Sequence, residues 1–216
     1  MKINEDSPVI LFFDKVTDIL LAGFYWLLCS LPVVTIGPAS CALYYTIVKV
    51  VRRKRDTVSK AFFHSFRENL KQGMIATILY LFYAGVIAVY LFLNTQQHTL
   101  GVNPYVFLLA GVMLILPFLL SGIYIFPVIS RFGCGLGKQF QYAFTMSVGH
   151  LFTTIILLVG LSAVCFAVYL LPFLLLILPG IYAFVSSLII ERTFKTYMRN
   201  ERKKYKLIED LPWYLE

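Results

Sequence analysis

The run Gly133-Cys134-Gly135-Leu136-Gly137-Lys138-Gln139 has the composition of a phosphate loop. Its spacing does not fit that chemistry. Three residues rather than four separate Gly133 from Gly137, and Gln139 stands where a Ser or Thr would hold Mg2+. No strand precedes it, so it reads as a flexible link between helices. His64, His98 and His150 are far apart in the chain and read as surface or helix-end residues. Cys29, Cys41, Cys134 and Cys165 have no CxxC spacing. They read as reduced thiols facing lipid or other helices, with neither a disulfide framework nor a metal site. No nucleophile–base pair, metal set or cofactor motif emerges.

The remaining chemical candidate is a break in an apolar stretch. Leu27 to Lys49 is apolar enough to lie in a membrane, yet Pro32, Gly37 and Pro38 interrupt it beside Thr35 and Ser40. Free backbone amides at a helix start inside the apolar layer offer a place for an anionic or polar ligand, helped by Thr35 and Ser40. The plainer alternative is a tight hairpin whose polar groups satisfy each other. Tyr44, Tyr45, Tyr124 and Tyr182 either line the same interior or pack helices together.

Elements that would position such a site follow from the charge map. The chain has 216 residues, 14% of them charged, with mean hydropathy +0.79. Soluble domains carry about 25% charged residues. No Asp, Glu, Lys or Arg occurs from Gln72 to Ser130 or from Gln139 to Ile190. The reading is an all-α, polytopic membrane helix bundle forming one integral membrane domain over residues 1–216. The spans are placed at about 18–34, 38–51, 73–93, 104–129, 149–171 and 174–190, with a cytoplasmic tail at 191–216. The N-terminal residues lack a cleavage pattern and read as retained, with Val9 to Phe13 along the membrane surface. The second span, about 21 Å at 1.5 Å per residue, is short of a ~30 Å hydrocarbon core, so its outer end should stop below the surface. Pro117 and Pro127 are expected to kink the fourth.

Interfacial helices are expected at about 58–71 and 137–148, the first amphipathic and either lying on the membrane or docked on the bundle. In the first, Phe62, Phe66 and Leu70 recur every fourth residue with Phe63 beside them. Phe62, Phe63, Phe66 and Asn69 are the candidate contact for a cytoplasmic partner. Six spans place all 19 Lys and Arg at the inner side with both termini inside. The net charge of +8 is therefore a topology and lipid signal and does not indicate nucleic acid. Trp213 and Tyr214 suit an interfacial contact.

An internal repeat is suspected. Ser121 to Ser130 (SGIYIFPVIS) and Pro179 to Leu188 (PGIYAFVSSL) share Gly-Ile-Tyr-x-Phe, and Ser40 to Lys49 is a weaker copy. Lys60-Ala61-Phe62 is echoed by Lys138-Gln139-Phe140. The unit would be an inward helix, an interfacial helix and an outward helix. Chance sharing of Leu, Ile and aromatics is the alternative.

The first half resembles the YesL-like family of small bacterial membrane proteins, a domain of unknown function. The matching residues are Leu31-Pro32, Thr35-Ile36-Gly37, Ala42-Leu43-Tyr44-Tyr45, and Phe62-Phe63-x-x-Phe66-x-x-Asn69 with Gln72. The resemblance implies a bacterial plasma (inner) membrane protein, often encoded near carbohydrate uptake systems. It implies no established activity and no catalytic residues. The expected function is a non-enzymatic accessory of carbohydrate uptake, in contact with ABC-type sugar transporter components. The alternative is a small-solute carrier or substrate-binding membrane subunit. A membrane enzyme is the third reading, lacking any visible catalytic set.

Overall fold

A computed structural model describes residues 8–95 and 104–204, and these are helical almost throughout. Helix α1 is Pro8–Cys29. A 3-10 turn at Val33–Thr35 leads into α2, Ile36–Thr46, which runs on as a π-helical turn over Ile47–Arg52. Then follow α3 (Val58–Glu68), α4 (Leu70–Thr95), α5 (Pro104–Arg131), α6 (Leu136–Gly149) and α7 (Leu151–Leu170). A 3-10 turn at Pro172–Leu176 precedes α8, Leu178–Lys204.

Among the described residues, four segments are long and apolar enough to cross a membrane: Val33–Arg52, Leu70–Thr95, Tyr105–Arg131 and Leu151–Leu170. The other two expected spans differ. The first helix starts well before residue 18 and ends at Cys29, and it carries Asp14, Lys15 and Asp18 within it. The segment expected along the surface at Val9 to Phe13 is its opening turns. The last expected span begins as a 3-10 turn, and its helix continues through Glu191 and Arg192 without a stop. Residues 96–103, with His98, and residues 205–216, with Trp213 and Tyr214, lie outside the described residues.

Helix α2 is the centre of the bundle. Of its apolar window 67% is buried, against 11% for each of the other three segments. It contributes to two cores. Cys41, Tyr44 and Val48 pack with Tyr124, Val128, Met146, Ile190 and Phe194. Leu43, Ile47 and Val51 pack with Ala22, Val58, Phe62 and Ala183 on the other side. In contrast, α4, α5 and α7 turn residues such as Phe82, Met113 and Phe152 outward. Apolar surface on that scale needs lipid or protein to cover it.

Helices form over both expected interfacial segments, but the first ends at Glu68 and Leu70 already opens α4. Each packs one face on the protein, while Phe63 of α3 and Phe144 and Val148 of α6 stay exposed. Helix α3 folds back along α2, with Val58, Ala61 and Phe62 buried. Helix α6 folds back along α5, with Gln139, Ala143 and Met146 buried. The turn before α3 is held by Asp56, which accepts from the Thr57 N–H and from Lys49 Nζ at 3.1 Å. These two contacts hold its carboxyl below the usual carboxylate range. The turn is therefore tightest above the ordinary carboxylate range and loosens as pH falls through the lowered value.

Helices α4 and α5 form an antiparallel hairpin. Tyr80 donates to Ser121 Oγ, Tyr83 to the Leu114 carbonyl and Tyr90 to the Phe107 carbonyl. Pro117 and Pro127 sit inside one unbroken helix. The Leu114 carbonyl neighbours that of Met113, which Pro117 deprives of its helical donor, so Tyr83 bonds where the turn is loosened.

The start of α2 lies against the first turns of α4 and against Phe126 of α5. The Gly37 N–H donates to Thr77 Oγ1 at 3.0 Å, and Pro38 lies directly on Gly73. From Thr77, α4 runs on to Thr95, about 27 Å at 1.5 Å per residue. The break in the sequence thus lies far from the distal end of the α4–α5 hairpin. Small residues make the approach possible, as is usual between membrane helices. A Cβ on Gly73 would lie 2.7 Å from Pro38 N, whereas one on Gly85 would meet nothing within 4 Å. Gly73→Ala should therefore destabilise the protein by about 1–3 kcal/mol. Gly85→Ala should be neutral or stabilising. Thermal unfolding of both variants in one detergent checks the contrast.

Candidate functional site

The first charge after each long uncharged run is buried, and the two meet. Arg131 is the last residue of α5 and Glu191 lies in α8. Arg131 donates to Glu191 Oε1 through Nε at 3.1 Å and through Nη2. Their side chains are 0% and 8% exposed. The Tyr44 hydroxyl, from α2, donates to the same oxygen at 3.2 Å. Phe132 and Phe194 pack edge to face at 5.4 Å between centroids, and Tyr44 meets Phe194 at 6.4 Å. One ionic group thus ties α2, α5 and α8 together. Arg52 adds a second tie, donating to the Ser187 carbonyl of α8 at 2.8 Å.

The expected cytoplasmic tail begins at Glu191, and sequence reasoning missed its partner. The usable signal was positional. Arg131 ends the uncharged run from Gln72, and Glu191 ends the run from Gln139. Each therefore sits at the boundary of an apolar run, where an isolated charge costs much more than a paired one.

The residues of the helix break do not gather into one site. Thr35 Oγ1 lies 2.6 Å from the Cys29 carbonyl and 2.7 Å from that of Pro32, closing the turn. Gly37 bonds Thr77, and Ser40 accepts from Trp26 Nε1 at 3.1 Å. Pro32 is exposed at the turn, while Pro38 is buried against Gly73. Tyr45 packs in the second core, with Lys49 Nζ 5.3 Å from its ring centroid. The polar groups of the break are thus engaged within the protein. The four expected partner residues also separate. Phe62 and Asn69 are buried, the latter bonded to the Ser65 carbonyl and hydroxyl, Phe66 is half-buried, and Phe63 is exposed. The outward face of α3 is instead Lys60, Phe63, His64, Arg67 and Glu68, with His64 and Glu68 3.5 Å apart.

The glycine-rich link leads into α6 and serves to bury Gln139. Its Nε2 donates to Gln72 Oε1 and to the Phe132 carbonyl, both at 2.9 Å. Tyr124 meets the Thr154 hydroxyl at 3.3 Å, and Tyr182 donates to the Leu157 carbonyl. Among the described residues, no three His, Cys, Asp or Glu side chains are grouped as metal ligands would be.

Beside the ion pair lies a cleft of about 470 Å3, between α2, α5, α7 and α8. Ser40, Tyr44 and Ser186 are among its few polar residues, and Ile123, Val164 and Ile190 are typical of the rest. Its size is that of a small-molecule site. Tyr44 bonds Glu191, Tyr182 bonds Leu157 and Ser186 bonds Ala183, so these groups are already taken. Of the seven residues expected at the break, only Ser40 and Tyr44 reach it.

Residues 19–91 match a family described as a protein of unknown function, DUF624. The match covers well under half of the chain. It takes in the break, α2, α3 and Tyr44, but neither Arg131 nor Glu191. No curated protein and no solved structure matches the chain.

Removing one member of the ion pair strands a buried charge. Glu191→Ala should cost about 3–5 kcal/mol, whereas replacing both members, Arg131→Met with Glu191→Leu, should cost far less. Thermal unfolding of the single and double variants measures the difference.

Proposed function

We propose that this is a non-enzymatic accessory protein of the bacterial plasma membrane that serves carbohydrate uptake by contacting ABC-type transporter components through the outward face of α3. The observation that carries this reading is the division of α3. Its apolar side is consumed by the bundle, while Lys60, Phe63, His64 and Arg67 are left on the outside around one exposed aromatic ring. An aromatic residue ringed by charge is a common anchor at protein interfaces. The link to carbohydrate rests on the family resemblance alone. The cleft itself suits a sugar poorly, because its few polar groups are largely committed internally. Photo-crosslinking from position 63 in cells should capture a permease subunit, and deleting the gene should reduce sugar uptake. No captured permease together with unchanged uptake would sink the proposal.

The second reading is a small-solute carrier or a substrate-binding membrane subunit. The cleft favours it, with an apolar rather than a sugar-like solute as cargo. Flux of such a solute into liposomes separates the two readings.

For topology, the Lys and Arg distribution supports both termini inside. Six spans satisfy it. The depth of Gly37 beside Thr77 favours a variant in which α1 and α2 enter and leave the membrane on the same side, which also keeps both termini inside. The suspected duplication finds support in the shared order of α2–α3–α4 and α5–α6–α7, each a helix, a second one folded back on it and an apolar one. Thr77 in α4 reaches back to α2, as Thr154 in α7 reaches back to α5. In a cysteine-free background, a cysteine at His98 should react with an impermeant external thiol reagent. One at Leu31 should not if α1 and α2 form a same-side hairpin, and should react if they cross fully.

A further inference from the structure

We propose that Arg131, Glu191 and Tyr44 form a latch across the inner end of the cleft, and that parting α5 from α8 there opens the cleft to the cytoplasm. The inference deepens the carrier reading and rests on it. Three of the four walls end at this group. On α8 the lining runs from Pro179 to Ile190, and Glu191 is the next residue. On α5 it runs from Gly122 to Pro127, and Arg131 lies about one turn further. On α2 it is Ser40, Leu43 and Tyr44, and Tyr44 gives its hydroxyl to Glu191. The fourth wall, α7, is the open one: Leu161 is 38% exposed there, and Cys165 is exposed as well. The cleft is thus reached from the side of α7 and shut at the end where the Lys and Arg distribution puts the cytoplasm.

The closure is made of bonds that a small separation would release together. Arg131 donates twice to Glu191 Oε1 and Tyr44 donates to the same oxygen, so one acceptor holds three helices. Arg52 adds its bond to the Ser187 carbonyl at the same end. Helix α5 is also built to bend here. Pro127 lies between the rest of the lining and Arg131 and deprives the Ile123 carbonyl of its helical donor. The turn that carries Arg131 is therefore joined to α5 through a loosened one. Parting the helices at this boundary lets water reach both charges, whereas sliding one along the other would strand them in the bundle. A paired charge at the edge of the apolar layer thus makes a closure with two discrete positions, bonded and hydrated.

The test uses the full chain in inside-out membrane vesicles, with its four cysteines replaced by alanine and the buried lining residue Ser186 changed to cysteine. An impermeant thiol reagent should label position 186 slowly. Glu191→Gln should raise that rate roughly ten-fold, the step from an open population of about 1% to about 10%. The exchange Arg131→Glu with Glu191→Arg should bring the rate back towards its starting value. Tyr44→Phe, which keeps the ion pair, should give a smaller rise, and it carries the test if Glu191→Gln does not fold. Gly73→Ala, which disturbs the bundle elsewhere, should leave the rate unchanged. A cysteine at Ala61 instead, buried on the other side of α2, should stay unlabelled throughout. Thermal unfolding of each variant shows that it is folded. Labelling of position 186 that neither Glu191→Gln nor Tyr44→Phe raises overturns the latch. An equal rise at position 61 or in Gly73→Ala also overturns it, because the whole bundle would then be loosening. Solute flux into liposomes judges the carrier reading separately: labelling that rises without any flux keeps the latch and removes the carrier.

Discussion

A carboxylate and a guanidinium taken out of water must each find a partner, and the bundle is arranged so that they find one another. Glu191 accepts from Arg131 and from Tyr44 through a single oxygen, so α5, α8 and α2 have one relative placement that satisfies it. The buried pair contributes little net stability by itself, since desolvation offsets most of the attraction. It acts on geometry. Any shift of α8 along α5 strands two charges, and that penalty fixes the register of helices whose apolar faces alone would slide.

The same requirement explains why the helix break is so quiet chemically. Where α1 stops and α2 starts, several backbone groups lose their helical partners. Thr35, Thr77 and Ser40 are spent on closing that region. Gly37, Pro38 and Gly73 bring α2 and α4 into direct contact, which positions the Thr77 hydroxyl beside the Gly37 amide. Chemistry is therefore displaced from the break itself to what α2 passes on its way to Arg52: the cleft on one side and the Arg131–Glu191 pair at its end.

Two surfaces remain for function, and they differ in kind. The outward face of α3 is charged around one aromatic ring and suits a protein partner. The cleft beside α8 is lined mostly by apolar side chains, with Ser40, Tyr44 and Ser186 bonded within the protein. Helix α2 underlies both, with Val51 packed near Val58 of α3 and Tyr44 lining the cleft.

The sequence by itself determined the class of molecule. Two long runs without charge, bounded by Lys71 and Arg131 and by Lys138 and Glu191, require apolar helices and supply the positions of α4, α5 and α7 to within a few residues, because span length follows from membrane thickness. The amphipathic spacing of Phe62 and Phe66 also fixed α3 as a separate helix. Other features depend on which helices become neighbours, and periodicity along one helix does not carry that information. Phe62 and Asn69 have the same spacing on a partner-facing helix as on one folded against α2, and only the packed structure turned them inward and left Phe63 and Arg67 outside. Arg131 and Glu191 are sixty residues apart and each looks like an ordinary boundary charge. The tertiary structure alone decided that they pair, since the desolvation cost that makes them a pair arises only when α5, α8 and α2 close around them.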